Sequence, residues 1–212
     1  MDRRKEILSI IKETPVISIV RGVKKIYVER LIDSLIAGGI RCLEITMNTP
    51  GALSMIKEIR ERYPRVSIGA GTVLSLQDAE AAIAEGVDFI LSPILSIPVI
   101  ELCNKKDILP IPGVFTPTEI LTASLTGAEL IKVFPAGPVG PGYIKDLLGP
   151  FDGLRLLPVG GITLENTADF MKAGAFAVGI GSALVNQSLA EQEKFTEIQR
   201  RAEQFIFLSR SK

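Results

Sequence analysis

Short apolar runs alternate with amphipathic stretches along the chain, and this alternation predicts the architecture. Parallel neighbouring strands need crossover helices between them, so the alternation predicts an α/β fold with a parallel sheet. The apolar runs that predict strands are VISIV (16–20), RCLEI (41–45), VSIGA (66–70), DFILS (88–92), ILPI (108–111), ELIKVF (129–134), RLLPV (155–159) and FAVGI (176–180).

The predicted helices carry recognisable start and stop signals. Starts are expected at Thr49 before Pro50, at Ser75 with Asp78 three residues on, and at Thr116 with Glu119. Glycine suits the left-handed backbone that ends a helix, and it precedes four of the predicted strands. These glycines lie in AGGI (37–40), AEGVD (84–88), LTGAE (125–129) and KAGAF (172–176).

Eight strand–helix units can close into a (β/α)₈ TIM barrel, and this is the fold that we expect. The segment DRRKEILSIIKE (2–13) places Ile7, Leu8, Ile10 and Ile11 on or near one face, which predicts an extra N-terminal helix. An open doubly wound sheet is the alternative, but no G-x-G-x-x-G follows the first strand. With 212 residues and 47% hydrophobic content, the chain is expected to form a single domain over residues 1–212.

Composition narrows the function and its setting. Lys plus Arg and Asp plus Glu number 24 each, so no overall charge favours nucleic acid or an anionic membrane as a partner. The apolar run from Phe89 is broken by Pro93 and Pro98, and nothing near the N-terminus resembles a secretory signal. With two cysteines far apart, we expect a soluble protein in the reducing cytoplasm.

The chain contains no histidine, which limits its chemistry. Zinc sites usually use histidine or cysteine, and Ser-His-Asp catalysis needs an imidazole. Both become poor candidates, although a carboxylate site for magnesium stays possible.

A barrel places its active site at the C-terminal ends of the strands, so polar residues there are candidates for function. They are Arg21, Glu44, Thr46, Asn48, Thr72, Ser92, Lys132 and the glycine clusters at 160 and 179.

Lys132 stands inside a strand that is apolar on both sides. If its side chain points into the barrel, burial lowers the pKa of the amine, and a neutral amine can attack a ketone to form a Schiff base. The alternative is a lysine whose stem is buried while its charge reaches water or a carboxylate.

Glu44 also lies at a strand end between apolar residues. It could be a general acid or base whose pKa is raised by burial, or a structural partner in an ion pair, with Lys132 as one possible partner.

Two glycine-containing loops, PVGGI (158–162) and VGIGSAL (178–184), follow the last two predicted strands. Backbone amides and helix starts there can bind an anion, and Ser182 adds a hydroxyl, so a phosphate site is expected. Helix-end glycine without a ligand is the alternative.

Taken together and in order, these motifs resemble the 2-keto-3-deoxy-6-phosphogluconate (KDPG) and 4-hydroxy-2-oxoglutarate (KHG) aldolases. The motifs that carry the resemblance are LEIT with Glu44, GAGTV with Thr72, SP at Ser92-Pro93, IPG (111–113), IKVFPA with Lys132, GGI (160–162) and GIGSAL (179–184). The resemblance implies a metal-free, cofactor-free class I aldolase on a (β/α)₈ barrel. It also implies a homotrimer that releases pyruvate and an aldehyde from a keto acid.

The resemblance also implies residue roles. Lys132 would form the Schiff base, and Glu44 would move protons through a bound water. Residues that would contact substrate are Arg21, Thr72, Pro93, Phe134 and Asn48 at the pyruvate end, and Gly160, Gly161, Gly181 and Ser182 at the phosphate.

Two positions depart from the family's best-known pattern. Phosphogluconate enzymes often carry an arginine where this chain has Asn48, so Arg21 could hold the carboxylate instead. The run from Asn48 to Pro50 looks closer to 2-keto-3-deoxy-6-phosphogalactonate aldolases, and Val159 replaces a threonine found in some relatives. Three functions therefore stay open: a phosphogluconate or phosphogalactonate aldolase, a phosphate-binding isomerase or epimerase, and a ligand-binding protein without turnover.

Overall fold

The computed structural model describes residues 3–151 and 153–211. Helices and strands alternate along them. The helices are α1 Arg3–Glu13, α2 Lys25–Ala37, α3 Ala52–Arg62, α4 Leu76–Ala84, α5 Ile97–Lys105, α6 Pro117–Leu125, α7 Gly140–Leu148, α8 Thr167–Lys172, α9 Gln187–Glu191 and α10 Phe195–Ser209. The strands are β1 Val16–Val20, β2 Cys42–Thr46, β3 Ser67–Gly71, β4 Phe89–Leu91, β5 Leu109–Ile111, β6 Gly113–Val114, β7 Ile131–Val133, β8 Leu156–Pro158 and β9 Val178–Ile180.

All strand pairs are parallel, and the strands form two sheets. One sheet has the order β5-β4-β3-β2-β1-β9, and the other has the order β6-β7-β8. Apart from the pairing of the first strand with the last, neighbours in each sheet are neighbours in sequence, which differs from the reversal of order in a doubly wound fold. The fold is thus α/β, with parallel strands curved around a common interior.

The described residues form nine strands where the sequence predicts eight, because a short extra strand, β6, follows Pro112 directly after the predicted fifth strand (108–111). Proline lacks the N–H that a continuing ladder would use. The Pro112 carbonyl still accepts a hydrogen bond from the Lys132 amide at 2.9 Å, and an isolated parallel bridge joins Val159 to Gly179. The predicted strands at 129–134 and 176–180 are also shorter than expected.

Alternate strand residues pack into two separate apolar layers. Residues such as Val16, Ile45 and Ile131 pack with the surrounding helices. Ile17, Phe89 and Leu157 belong to the inner layer together with three side chains of α1, namely Ile7, Leu8 and Ile11. The predicted apolar face of the N-terminal segment is therefore buried against the strand interior, apart from the half-buried Ile10; Asp2, its first residue, lies outside the described residues.

A buried carboxylate fixes α1 at the N-terminal ends of the strands. Asp88 directly precedes β4 and accepts hydrogen bonds from Arg3 Nη2 at 2.6 Å, Arg60 Nη1 at 2.8 Å and the Ile68 amide at 2.9 Å. Two guanidinium groups and a backbone donor satisfy a charge that would otherwise be costly to bury. One end of the strand assembly is thus covered by α1.

The cap predictions are confirmed at two of three helix starts. Ser75 accepts a hydrogen bond from the Asp78 amide, and Thr116 forms a capping box with Glu119. The start predicted at Thr49 is wrong, because α3 begins at Ala52 after Gly51 in the left-handed region. Positive φ values confirm the predicted helix-end glycines, which are Gly39, Gly86, Gly127 and Gly174.

Among residues 3–151 and 153–211, no helix combines the length and apolar character needed to cross a membrane.

Candidate active site

The C-terminal ends of the strands surround a cavity of about 480 Å³. Parallel strands bring their carboxyl ends to the same edge, so residues far apart in sequence meet there. Eight of the predicted site residues line this cavity: Arg21, Glu44, Lys132, Phe134, Gly160, Gly161, Gly181 and Ser182.

Lys132 is the central residue of β7, and its side chain points inward. Its neighbours Ile131 and Val133 belong to the outer apolar layer, so the period of two places Lys132 on the opposite face. The residue is only 4% exposed, and Nζ lies 4.8 Å from the centre of the Phe134 ring. Burial lowers the pKa of the amine; the positive charge of Arg21 lowers it further, while Glu44 acts in the opposite direction. The surroundings of Lys132 therefore favour the neutral form of its amine more than water does.

Glu44 is the central residue of β2, in the other sheet, and is 1% exposed. Burial raises the pKa of its carboxyl group from 4.5 to about 7, although Lys132 and Arg21 both favour the charged form. In the described part of the chain, its buried Oε2 has no hydrogen-bonding partner. An atom of this kind suits proton transfer to a ligand, because bound substrate or water would supply the missing hydrogen bond.

Gly71, at the end of β3, makes room for the Glu44 carboxyl group. A Cβ built on Gly71 would lie 1.6 Å from Glu44 Oε1, so an alanine there would displace the carboxylate. Sequence reasoning did not select Gly71, but a glycine inside a strand signals a close approach of this kind.

Arg21 directly follows β1 and donates a hydrogen bond from Nη2 to Thr72 Oγ1 at 3.3 Å. Thr72 is not among the described residues that line the cavity, but it contacts Arg21, which does; its backbone is left-handed, with φ of 56°. Pro93 lies next to β6, in which Gly113 pairs with Lys132 of β7. A Cβ on Gly113 would be 2.5 Å from the Pro93 carbonyl carbon. Asn48 is exposed in the turn after β2 and is not among the described residues that line the cavity.

The loops after β8 and β9 also line the cavity, and β9 pairs with β1, the strand that Arg21 follows. Gly160 and Gly161 have φ values of 87° and 76°, which favour glycine. A Cβ on Gly161 would lie 2.8 Å from the Cα of Gly137, which belongs to the loop after β7, so the loops after β7 and β8 touch through their backbones. The expected helix starts do not directly follow the glycines, because α8 begins only at Thr167 and α9 at Gln187.

Several polar residues of the cavity are not predicted from the sequence. Thr163, Asn186 and Gln187 all line the cavity, yet they lie in loops or at a helix start where their types are common for structural reasons. Asn186, for example, caps α9 by accepting a hydrogen bond from the Leu189 amide at 2.8 Å. No pattern in one sequence separates such a cap from a binding residue.

Within residues 3–151 and 153–211, no group of three or more His, Cys, Asp or Glu side chains is placed to hold a metal ion.

Comparison with known proteins identifies the family. A family profile described as "Aldolase: KDPG and KHG aldolase" matches residues 7–201. The chain belongs to the KDPG and KHG aldolase family. It is 36% identical over 180 residues to a probable 2-dehydro-3-deoxy-6-phosphogalactonate aldolase of Rhizobium meliloti, covering 84% of this chain and 85% of that one. The resemblance inferred from the ordered motifs is confirmed.

Solved structures of family members superpose on the chain. A KDPG aldolase from Legionella pneumophila, solved with pyruvate captured at low pH as a covalent carbinolamine intermediate, has a TM-score of 0.87 and 27% identity. That match covers 92% of this chain and 96% of the other. The KDPG aldolase of Zymomonas mobilis ZM4 with 3-phosphoglycerate has a TM-score of 0.85 and 28% identity, covering 95% and 97%.

Proposed function

We propose that the chain is a class I aldolase that cleaves 2-keto-3-deoxy-6-phosphogluconate to pyruvate and glyceraldehyde 3-phosphate. The observation that carries the proposal is one cavity holding a buried lysine with a lowered pKa and a buried carboxyl group with a raised pKa. Opposite shifts at neighbouring titratable groups are typical of acid–base and nucleophilic sites.

The reaction begins with the neutral amine of Lys132. Nζ attacks the C2 ketone of the substrate, the resulting carbinolamine loses water, and a protonated Schiff base forms. The carbinolamine form of pyruvate in the Legionella pneumophila relative supports this step. The Phe134 ring beside Nζ favours the positive charge that develops on the nitrogen.

Carbon–carbon cleavage then uses Glu44 as a base. Glu44 takes the proton of the C4 hydroxyl group, directly or through water, while the C3–C4 bond electrons move into the iminium and produce an enamine and an aldehyde. The enamine accepts a proton at C3, and water hydrolyses the Schiff base to release pyruvate and Lys132. The absence of a hydrogen-bonding partner for Glu44 Oε2 supports this role.

Binding of the two anionic ends follows from the walls of the cavity. Arg21 would hold the carboxylate, with Thr72 beside it, and Pro93, Phe134 and Asn48 would complete the pyruvate end. Gly160, Gly161, Gly181 and Ser182 would hold the phosphate through backbone amides and a hydroxyl group. The 3-phosphoglycerate complex of the Zymomonas mobilis relative supports a phosphorylated substrate.

The corresponding phosphogalactonate is the second candidate substrate. It differs from the phosphogluconate in configuration at C4, the carbon whose hydroxyl group loses its proton. Asn48 in place of arginine favours it, as does the 36% identity to the Rhizobium meliloti relative.

The decisive experiment combines chemical trapping with a comparison of donors. Pyruvate plus borohydride should leave a stable adduct on Lys132, and pyruvate release should be measured from phosphogluconate, phosphogalactonate and 4-hydroxy-2-oxoglutarate donors. An absence of any adduct at saturating pyruvate would contradict the aldolase proposal. Activity that survives borohydride would indicate an isomerase or epimerase, and ligand binding without pyruvate release would indicate a binding protein.

We further propose that the two sheets form one closed (β/α)₈ barrel, in a single domain over residues 1–212. The Pro112–Lys132 hydrogen bond and the Val159–Gly179 bridge support continuity between the sheets. The protein would act in the cytoplasm as a homotrimer. Exposed apolar side chains on the segments from α4 to α6, including Leu76, Ile97 and Leu121, support an interface between copies.

A further inference from the structure

Arg21 is the permanent positive charge of the cavity. Of the described residues that line the cavity, only Arg21 and Lys132 carry basic side chains. Lys132 must lose its charge to attack a ketone, and Asn48 is uncharged and exposed. A keto-acid carboxylate therefore depends on the position of one guanidinium group.

The position of Arg21 depends in turn on a sharp bend. Gly22 follows Arg21 with φ of 67°, in the left-handed region. The amide of Gly22 donates a hydrogen bond to Thr49 Oγ1 at 3.0 Å, across 27 residues of sequence. The bend after β1 is thus held by the loop after β2.

A second threonine supports the first. Thr49 is 3% exposed, and its Oγ1 lies 2.9 Å from Oγ1 of the fully buried Thr46. Thr46 is the last residue of β2, two positions after Glu44, and therefore on the same face of the strand. The hydroxyl pair connects the Arg21 bend to the strand that carries the proposed base.

We infer that Thr49 is a positioning residue, whose hydroxyl group fixes the bend at Gly22 and so aims Arg21 at the carboxylate of a bound keto acid. The inference rests on the proposed function. Thr72 acts on the same side chain from the other side, because it accepts the hydrogen bond from Arg21 Nη2. Thr49 holds the backbone and Thr72 holds the guanidinium group, so the two contacts are independent.

The test compares a charged with an uncharged ketone. The half-saturating concentrations of pyruvate and of pyruvamide for borohydride trapping on Lys132 are measured in the wild type, in Thr49→Val and in Thr49→Ser. Thr49→Val keeps the shape of the side chain and removes its hydroxyl group. The half-saturating concentration of pyruvate should therefore rise about tenfold, as expected for one lost hydrogen bond. The half-saturating concentration of pyruvamide should stay within about twofold, because its neutral amide offers no carboxylate to Arg21.

Thr49→Ser keeps the hydroxyl group and should restore the wild-type value for pyruvate. If Thr49→Val does not fold, Thr49→Ala removes the same group without placing a methyl against Thr46. An unchanged value for pyruvate, or an equal rise for both ketones, would overturn the inference while leaving the aldolase proposal intact. A wild-type chain that forms no adduct would contradict the proposed function and overturn this inference with it.

Discussion

At the scale of single residues, Lys132 should be needed for turnover but not for folding. Lys132→Ala removes the nucleophile and a buried amine whose desolvation is costly, so kcat should fall by about 10⁴-fold or more while the fold persists. Pyruvate release and circular dichroism measure the two properties. Residual turnover close to that of the wild type would exclude a Schiff base at this position.

Glu44 makes activity depend on pH in a defined direction. The proposed base must be ionised, and burial raises its pKa to about 7. We therefore expect kcat/KM to rise with pH through an apparent pKa near 7 and to level off above it. Glu44→Gln should remove this limb along with most of the activity. A profile that falls between pH 6 and 8 would contradict the assignment of Glu44 as the base.

The same burial should reduce stability at high pH. The folded state keeps the Glu44 proton up to about pH 7, whereas the unfolded state loses it near 4.5, so the contribution of this group to folding is greatest below 4.5 and is lost as pH rises to about 7. Each pKa unit corresponds to about 1.4 kcal/mol. With a rise from 4.5 to about 7, Glu44→Gln should therefore raise the free energy of unfolding by about 3 kcal/mol at pH 8.

Urea denaturation at pH 8 and at pH 4 measures this difference. At pH 4 the carboxyl group is already neutral in the folded chain, so the gain should disappear, which provides an internal control. A gain of equal size at both pH values would show that burial of the charge is not its cause.

Lys132 and Glu44 could be singled out from the sequence because each is a charge inside an apolar strand. Such a residue must point inward or be paired, and both turn out to line the cavity. The roles of Gly71 and Thr49 could not be predicted from the sequence, because they depend on contacts with distant residues. Gly71 makes room for the Glu44 carboxylate, and Thr49 accepts a hydrogen bond from the Gly22 amide. A contact between two segments that are distant in sequence cannot be predicted from the local residue pattern of either segment.

At the scale of elements, the glycine loops should tolerate no side chain at Gly161. Gly161→Ala adds a Cβ in a left-handed position, 2.8 Å from the Gly137 Cα. We expect a loss of stability of about 2 kcal/mol or more. KM should rise for a phosphorylated donor but change little for 4-hydroxy-2-oxoglutarate.

Gly153→Ala is a matched control for this substitution. Gly153 has φ of 78°, almost the same as Gly161, but a Cβ there would meet no atom within 4 Å, and Gly153 does not line the cavity. The difference in stability between the two variants isolates the close contact from the backbone strain. Equal effects on stability and on KM would contradict a special role for the Gly161 loop.

Element ends show what local sequence does and does not determine. The capping box of Thr116 and Glu119 is a local device, and it appears where predicted. Thr49, like Thr116, is a threonine before a proline. Its hydroxyl group nevertheless accepts a hydrogen bond from the Gly22 amide, and α3 begins only at Ala52. A distant backbone donor competes with the local cap there, and distant partners are invisible to a local pattern.

At the scale of the whole molecule, we expect that a charged residue placed in the proposed interface between copies will weaken their association. Leu121 on α6 is 45% exposed, and Leu121→Glu would place a charge in the proposed interface at a cost of several-fold or more in association. Light scattering should then show a smaller species than the homotrimer proposed for the wild type. Phe207→Glu is the control, since Phe207 is 75% exposed on α10, away from the α4–α6 segments; an identical effect of both variants would contradict this interface.

The position of α1 has a consequence for the order of events during turnover. Its apolar side chains cover the N-terminal end of the strands, and the glycine loops stand at the other. In the proposed reaction, substrate and products therefore pass through the C-terminal end of the strands, and the three-carbon fragment stays bonded to the buried Lys132 while the aldehyde is free. The aldehyde must leave first, pyruvate last, and in the synthetic direction pyruvate must be loaded before its acceptor. An excess of acceptor would therefore obstruct loading rather than speed the reaction.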